Sequence, residues 1–215
     1  MRKLYVKRLK YISSMVSPGK NTKNVVGMAS KETLAPRSHD LNNENWIRIL
    51  KLFFDEPTTT LHISEVARRA GLTPRGAQNI LESLRYDRLL NNESNGIVNN
   101  YWGNYDNEKF IGLKRSLNLN SLYSTGLISA IENFYSTPRC IVLFGSFARG
   151  EDTIKSDIDI AVETNLKDLP ELGIYENQLK RKVSLHLIRD VTKENANFIN
   201  SLANGIILSG YLNVM

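Results

Sequence analysis

The chain has 215 residues, 41% apolar and 23% charged, an ordinary balance for a soluble globular protein and a length that favours two modules over one. The single Cys140 rules out an intramolecular disulfide, and the three scattered histidines, His39, His62 and His186, offer no Cys/His zinc spacing. No apolar run approaches the roughly 18 residues of a membrane span, so a reducing, cytoplasmic setting with no membrane partner is expected.

The net charge of +6 is unevenly spread. Residues 1–40 hold nine Lys/Arg against Glu32 and Asp40, a local +7, which leaves −1 for the remainder. Residues 1–43 show no sustained apolar periodicity, so they read as a basic, unstructured tail. Such a tail suits either a phosphate-touching arm or a solvating extension. It lacks the apolar stretch of a signal peptide, and Met15 and Met28 permit a later translation start. Order is expected from Asn45. In "NWIRILKLFF" the residues Trp46, Ile47, Ile49, Leu50, Leu52, Phe53 and Phe54 cover a wide helical face that Asp55-Glu56-Pro57 ends.

"HISEVARRAGLTPRGAQNILESLRYDRLL" predicts two helices around a short turn. Ser64 is placed to cap the first, Gly71 to end it, and Thr73-Pro74 to open the second as N-cap and N1. The second helix is expected to reach about Arg85, with Ala77, Ile80, Leu81 and Leu84 on one stripe. The stretch "LLNNESNGIVNNYWGN" puts short apolar runs on either side of an Asn-Gly turn, a hairpin signal. Together these elements resemble the winged helix-turn-helix DNA-binding domains of prokaryotic regulators, over about 60 residues. The resemblance implies that residues 62–104 meet DNA and that the helix from Thr73 enters the major groove. Arg75 and Gln78 would then face base edges, with Arg68 and Arg69 on phosphate. The competing reading is a winged helix used only for protein contacts, since residues 44–105 carry seven basic and seven acidic side chains.

"NEKFIGLKRSLNLNSLYSTGLISAIENFY" predicts two bracing helices, one ending near Leu119 and one from Ser121 to about Tyr135. Cys140 to Phe144 reads as a buried strand. Gly145-Ser146 turns the chain, and "FARG" supplies a helical turn whose free amides favour an anion. Gly145 allows close backbone approach and Ser146 adds a hydroxyl.

Next comes the strand "SDIDIAV". Alternation puts Asp157 and Asp159 on one face, with Ile158 and Ile160 on the other. Neighbouring carboxylates resist joint ionisation unless a cation neutralises them, and hard oxygen donors suit Mg2+ or Mn2+ held together with substrate phosphates. A half-solvated edge strand is the alternative. A P-loop fits poorly, because Glu151 stands where the phosphate-binding lysine is required.

"LFGSFARG" followed by "SDIDIAV", with ten residues between Ser146 and Asp157, resembles the motif of minimal nucleotidyltransferases of the polymerase-beta superfamily, over roughly residues 121–215. That resemblance implies an α/β domain with a mixed sheet flanked by helices. It also implies NTP as substrate, nucleotide contacts at Gly145, Ser146, Arg149 and Ser156, and divalent metal on Asp157 and Asp159. The family supplies a third carboxylate from a later strand. Here that strand is "KVSLHLI", where Ser184 and His186 hold the relevant face and no acid is present. His186 is a candidate substitute base, and Asp190 lies beyond the strand.

The expected architecture is therefore α+β: a basic tail (1–43), a winged helix-turn-helix (44–105), and a nucleotidyltransferase domain with its bracing helices (106–215). Two functions fit. One is a metal-dependent transferase moving a nucleoside monophosphate to an unidentified acceptor. The other is a DNA-binding regulator or antitoxin-like protein with a degenerate site, for which the resemblance implies a HEPN-type partner.

Overall fold

A computed structural model describes residues 44–56, 58–94 and 99–214. The expected basic tail, residues 1–43, and the Asn95-Gly96 turn lie outside the described residues. Helix α1 (Glu44–Lys51) buries Trp46, Ile49 and Leu50 at i, i+3, i+4 spacing. The apolar run does not continue as α-helix to Phe54. Leu52 and Phe53 instead donate to the carbonyls of Ile49 and Leu50, three residues back, a tightened ending that still buries Phe53 and Phe54.

Strand β1 (Leu61–His62) leads directly into α2 (Ile63–Ala70). The cap is His62, whose Nδ1 accepts from the Ser64 amide at 3.3 Å, and Ser64 lies inside the first turn. The expected Ser64 cap is displaced because β1 pairing with β3 fixes His62 in extended backbone at the helix entrance. Gly71 ends α2, and α3 (Pro74–Tyr86) opens with Thr73 Oγ1 accepting from the Gly76 amide at 3.1 Å. Strands β2 (Leu90–Ser94) and β3 (Asn99–Gly103) pair antiparallel, giving a three-stranded sheet in the order β1-β3-β2. The helices and this sheet enclose a core that includes Ile49, Phe53, Val66, Ala77, Leu81, Leu84 and Tyr101.

Helix α4 (Glu108–Thr125) serves two cores: Phe110 lies in the first, Leu122 in the second. The expected break near Leu119 is absent. Asn118 and Ser121 are accommodated within the helix, Asn118 Nδ2 reaching Phe147 O at 3.1 Å and Ser121 Oγ bonding Asn118 O at 2.6 Å. The break falls at Gly126, whose φ of +77° is left-handed and suits glycine. Helix α5 (Leu127–Phe134) follows.

The second sheet holds β4 (Cys140–Phe144), β5 (Ile158–Glu163), β6 (Val183–Ile188) and β7 (Ile206–Gly210) in the order β6-β5-β4-β7. β4 runs antiparallel to β5 and β7, while β5 and β6 are parallel, so the sheet is mixed. The parallel pair needs a crossover, and it carries α7 (Gly173–Leu179). One-turn helix α6 (Gly145–Arg149) links β4 towards β5, and α8 (Ala196–Ala203) precedes β7. One sheet face, with Ile141, Leu143, Ile158, Ile160 and Val162, packs on Leu122, Leu127, Ile131 and Phe147. The other, with Val142, Phe144, Ala161 and Ile188, packs on Leu202, Val191 and Phe198.

Candidate active site

β4 delivers the Gly-Ser turn and β5 the acids, and the register sets them against each other: Phe144 lies opposite Asp159. Alternation along β5 sends Ile158 and Ile160 into the larger core and leaves Asp159 on the face shared with Ala161. Asp157 stands one residue before the strand and is exposed; Asp159 is half-buried.

Gly145 shows how close the two motifs come. Its φ is +75°, and a Cβ added there would sit 2.5 Å from Asp159 Oδ2 and 3.3 Å from its carboxyl carbon. Only glycine lets the turn and the carboxylate occupy adjacent space. Ser146 follows, half-buried, at the start of α6, whose N-cap Phe144 provides no side-chain acceptor for the first amides.

β6 completes the face. Its parallel register sets Ser184 beside Asp159 and His186 beside Ala161, so all four share one side of the sheet. His186 Nε2 is 3.5 Å from Asp159 Oδ1, and its ring stands edge-on to Phe144 at 5.0 Å and tilted to Phe198 at 6.0 Å. Asp190 is turned to other work: it accepts from the Thr192 amide and hydroxyl and pairs with Lys193 at 3.1 Å. These bonds, led by the Thr192 hydroxyl, hold its carboxyl below the usual carboxylate range. Among the described residues, no group of three or more His, Cys, Asp or Glu side chains is placed to hold a metal ion. The hard oxygen donors here are Asp159, against the Gly145 turn, and the exposed Asp157 two residues before it, the donor type that Mg2+ or Mn2+ would take.

Two further expected nucleotide contacts are engaged within the protein. Arg149 is exposed and pairs with Glu151 at 2.6 Å, and Ser156 Oγ accepts from the Thr153 amide at 2.9 Å, locking the turn that precedes Asp157. Sequence reading missed Arg181, which bonds that same turn. A lone arginine after a helix carries no local signal.

In the other sheet's module, Arg75 is exposed and Gln78 half-buried near the N-terminus of α3. Arg68 and Arg69 lie on α2, both within 2.6 Å of Glu65. Hydrogen bonds from Arg68 first, then Arg69, hold the Glu65 carboxyl down at about 2.

Residues 127–210 match the family model described as Polymerase beta, Nucleotidyltransferase. The matched segment runs from α5 to the end of β7 and contains the Gly-Ser turn, both aspartates and His186. The match supports the polymerase-beta superfamily for this part of the chain and a nucleotidyltransferase-type function in general, with an NTP as the implied substrate. No curated protein and no solved structure matches the chain. Among the described residues, no helix is long and apolar enough to cross a membrane.

Proposed function

We propose that the protein is a metal-dependent nucleotidyltransferase that moves a nucleoside monophosphate from an NTP to a hydroxyl or amine acceptor, tethered to a DNA-binding winged helix-turn-helix. The observation that carries this reading is the contact between the Gly145 turn and Asp159, because a phosphate cradle and a metal carboxylate must adjoin for phosphoryl chemistry. The Gly145-Ser146 backbone and the Ser146 hydroxyl would receive phosphate oxygens. Asp157 and Asp159 would hold Mg2+ or Mn2+, which supplies charge neutralisation at the phosphates when bound. The acceptor oxygen or nitrogen bonds to the α-phosphorus, the bond from that phosphorus to the bridging oxygen breaks, and pyrophosphate leaves. The acceptor's proton needs a base, and the exposed His186, 3.5 Å from Asp159, is the side chain proposed for it.

The tether rests on the succession of α1, α2, the Gly71 turn, α3 and the β2-β3 hairpin, the arrangement of a winged helix-turn-helix. In this reading Arg75 and Gln78 face bases, and Arg68 and Arg69 approach phosphates after leaving Glu65.

One observation favours a second reading. With two carboxylates and no third acid at Ser184 or His186, the site also suits a nucleotide-binding, transfer-deficient protein: a DNA-binding regulator or an antitoxin-like partner of a HEPN-type protein. The experiment that separates the two incubates the protein with each NTP labelled on its α-phosphate, Mn2+ or Mg2+, and host lysate. The expected outcome is label on an acceptor with wild type, none with Asp157→Asn or Asp159→Asn, and faster transfer with Ser184→Asp, which restores an acid beside Asp159. Absence of transfer by both wild type and Ser184→Asp, with NTP binding retained, would establish the second reading instead.

A further inference from the structure

Four charged side chains meet where the end of α1, the middle of α4 and the turn before β5 come together. Asp152 is 0% exposed and Lys114 1%. Lys114 Nζ lies 3.4 Å from Asp152 Oδ1 and donates to the carbonyls of Phe54, at 2.6 Å, and Asp152. Asn118 Nδ2 adds a bond to Asp152 Oδ1 at 2.9 Å. Arg181, half-buried with its side chain 8% exposed, places Nη2 3.0 Å from Asp152 Oδ2 and 2.7 Å from Asp55 Oδ1. Its Nη1 donates to the carbonyls of Thr153 and, at 3.2 Å, Ser156. The Ile154 amide donates in turn to Asp55 O at 2.9 Å.

The acceptors are unequal in meaning. Had Arg181 only to neutralise Asp152, its remaining donors could face solvent. They instead grip both ends of the turn Thr153–Ser156, and the Ser156 carbonyl belongs to the peptide that joins Asp157. A planar guanidinium with a fixed fork of donors can hold two carboxylates and two carbonyls at once; an ammonium cannot keep that geometry. Asp55 enters from the α1 side, 126 residues away in sequence from Arg181, so the N-terminal module supplies one jaw of this grip.

We propose that Arg181 is a positioning residue for the metal-binding carboxylate Asp157, and that Asp55 of the N-terminal helical module completes the clamp, making that module part of the site's preorganisation. The proposal rests on the reading of Asp157 and Asp159 as metal ligands. It implies that a displacement at the end of α1 reaches the metal site through two side chains. Residues that orient ligands in this way characteristically govern metal affinity.

Two readouts test it on the full chain: amide hydrogen exchange in the segment 152–157, and the affinity for Mn2+ alone, read from the spectroscopic signal of the free ion. Arg181→Lys should speed exchange in that segment and weaken Mn2+ binding about tenfold or more. Asp55→Ala, at a side chain 49% exposed and so tolerant of truncation, should do both to a smaller extent. Asp157→Asn should abolish Mn2+ binding and leave the exchange of Ile154 and Ser156 unchanged. Unchanged exchange in both clamp variants would overturn the clamp, whatever Mn2+ does. Faster exchange with a wild type that fails to bind Mn2+ would overturn the metal reading, and with it the positioning role.

Discussion

At the scale of single residues, Gly145 and the buried Cys140 show how immediate surroundings fix what a position can hold and do. Gly145 is held to its identity by a φ of +75°, strained for any residue with a Cβ, and a methyl group there would also press on Asp159 Oδ2. Cys140 opens β4 and is 1% exposed; burial first, and Glu163 second, push its thiol from the ordinary 9.0 to about 11. A group whose folded pKa is raised contributes stability below its unfolded pKa and loses it as pH climbs through the folded value, here a window from about 9 to about 11. Because the thiolate is the nucleophile, the folded protein should resist iodoacetamide at pH 8.5 and react promptly in urea, by mass spectrometry. Rapid alkylation of the folded chain would mean that β4 opens locally.

At the scale of elements, α4 is unusual in joining two cores, and it does so around a buried cation. Burial lowers the Lys114 pKa while Asp152 opposes the shift, so the pair's value to folding depends on both partners being present. Lys114→Met would leave Asp152 facing only Arg181 and Asn118 in the interior. Removal of one member of a buried pair costs about 3–5 kcal/mol, and urea unfolding should show a loss of that order with an unchanged m value. A loss below about 1 kcal/mol, within the range of exposed pairs, would show that Arg181 and Asn118 together suffice for Asp152. The same logic sets the contrast with Arg149–Glu151 and Arg68–Glu65, whose exposed geometry makes them weak contributors.

At the scale of the whole molecule, charge and architecture bear on DNA together. The module spanning 44–105 is neutral by count while residues 1–40 carry +7, so the proposed DNA affinity divides into a base-reading part at α3 and a salt-sensitive part in the tail. Arg75→Ala should cost about 1–3 kcal/mol against the preferred sequence and relax specificity. Deletion of residues 1–40 should weaken binding uniformly and flatten the plot of log affinity against log salt, followed by fluorescence anisotropy across a potassium chloride series. An unchanged slope after the deletion would place the phosphate contacts elsewhere.

Much of this protein was legible in its sequence because the deciding signals were local. Thr73-Pro74 and Gly71 set helix ends, the apolar run Cys140–Phe144 set a buried strand, and alternation in "SDIDIAV" put Asp159 opposite the isoleucines. The Gly-Ser and Asp-Ile-Asp motif likewise pointed to the family that residues 127–210 match. Other features rested on partners far along the chain. Strand pairing moved the α2 cap from Ser64 to His62, and side-chain bonds to the α6 corner carried α4 through the weak helix formers near Asn118. The parallel register of β5 and β6 chose Ser184 as the neighbour of Asp159. Lys114, Asp152, Arg181 and Asp55 are unremarkable charges in the sequence. Their meeting around the turn before Asp157 was decided only by the tertiary structure, because a charge enters an interior when folding brings its partners there, and no local pattern encodes a partner 126 residues away.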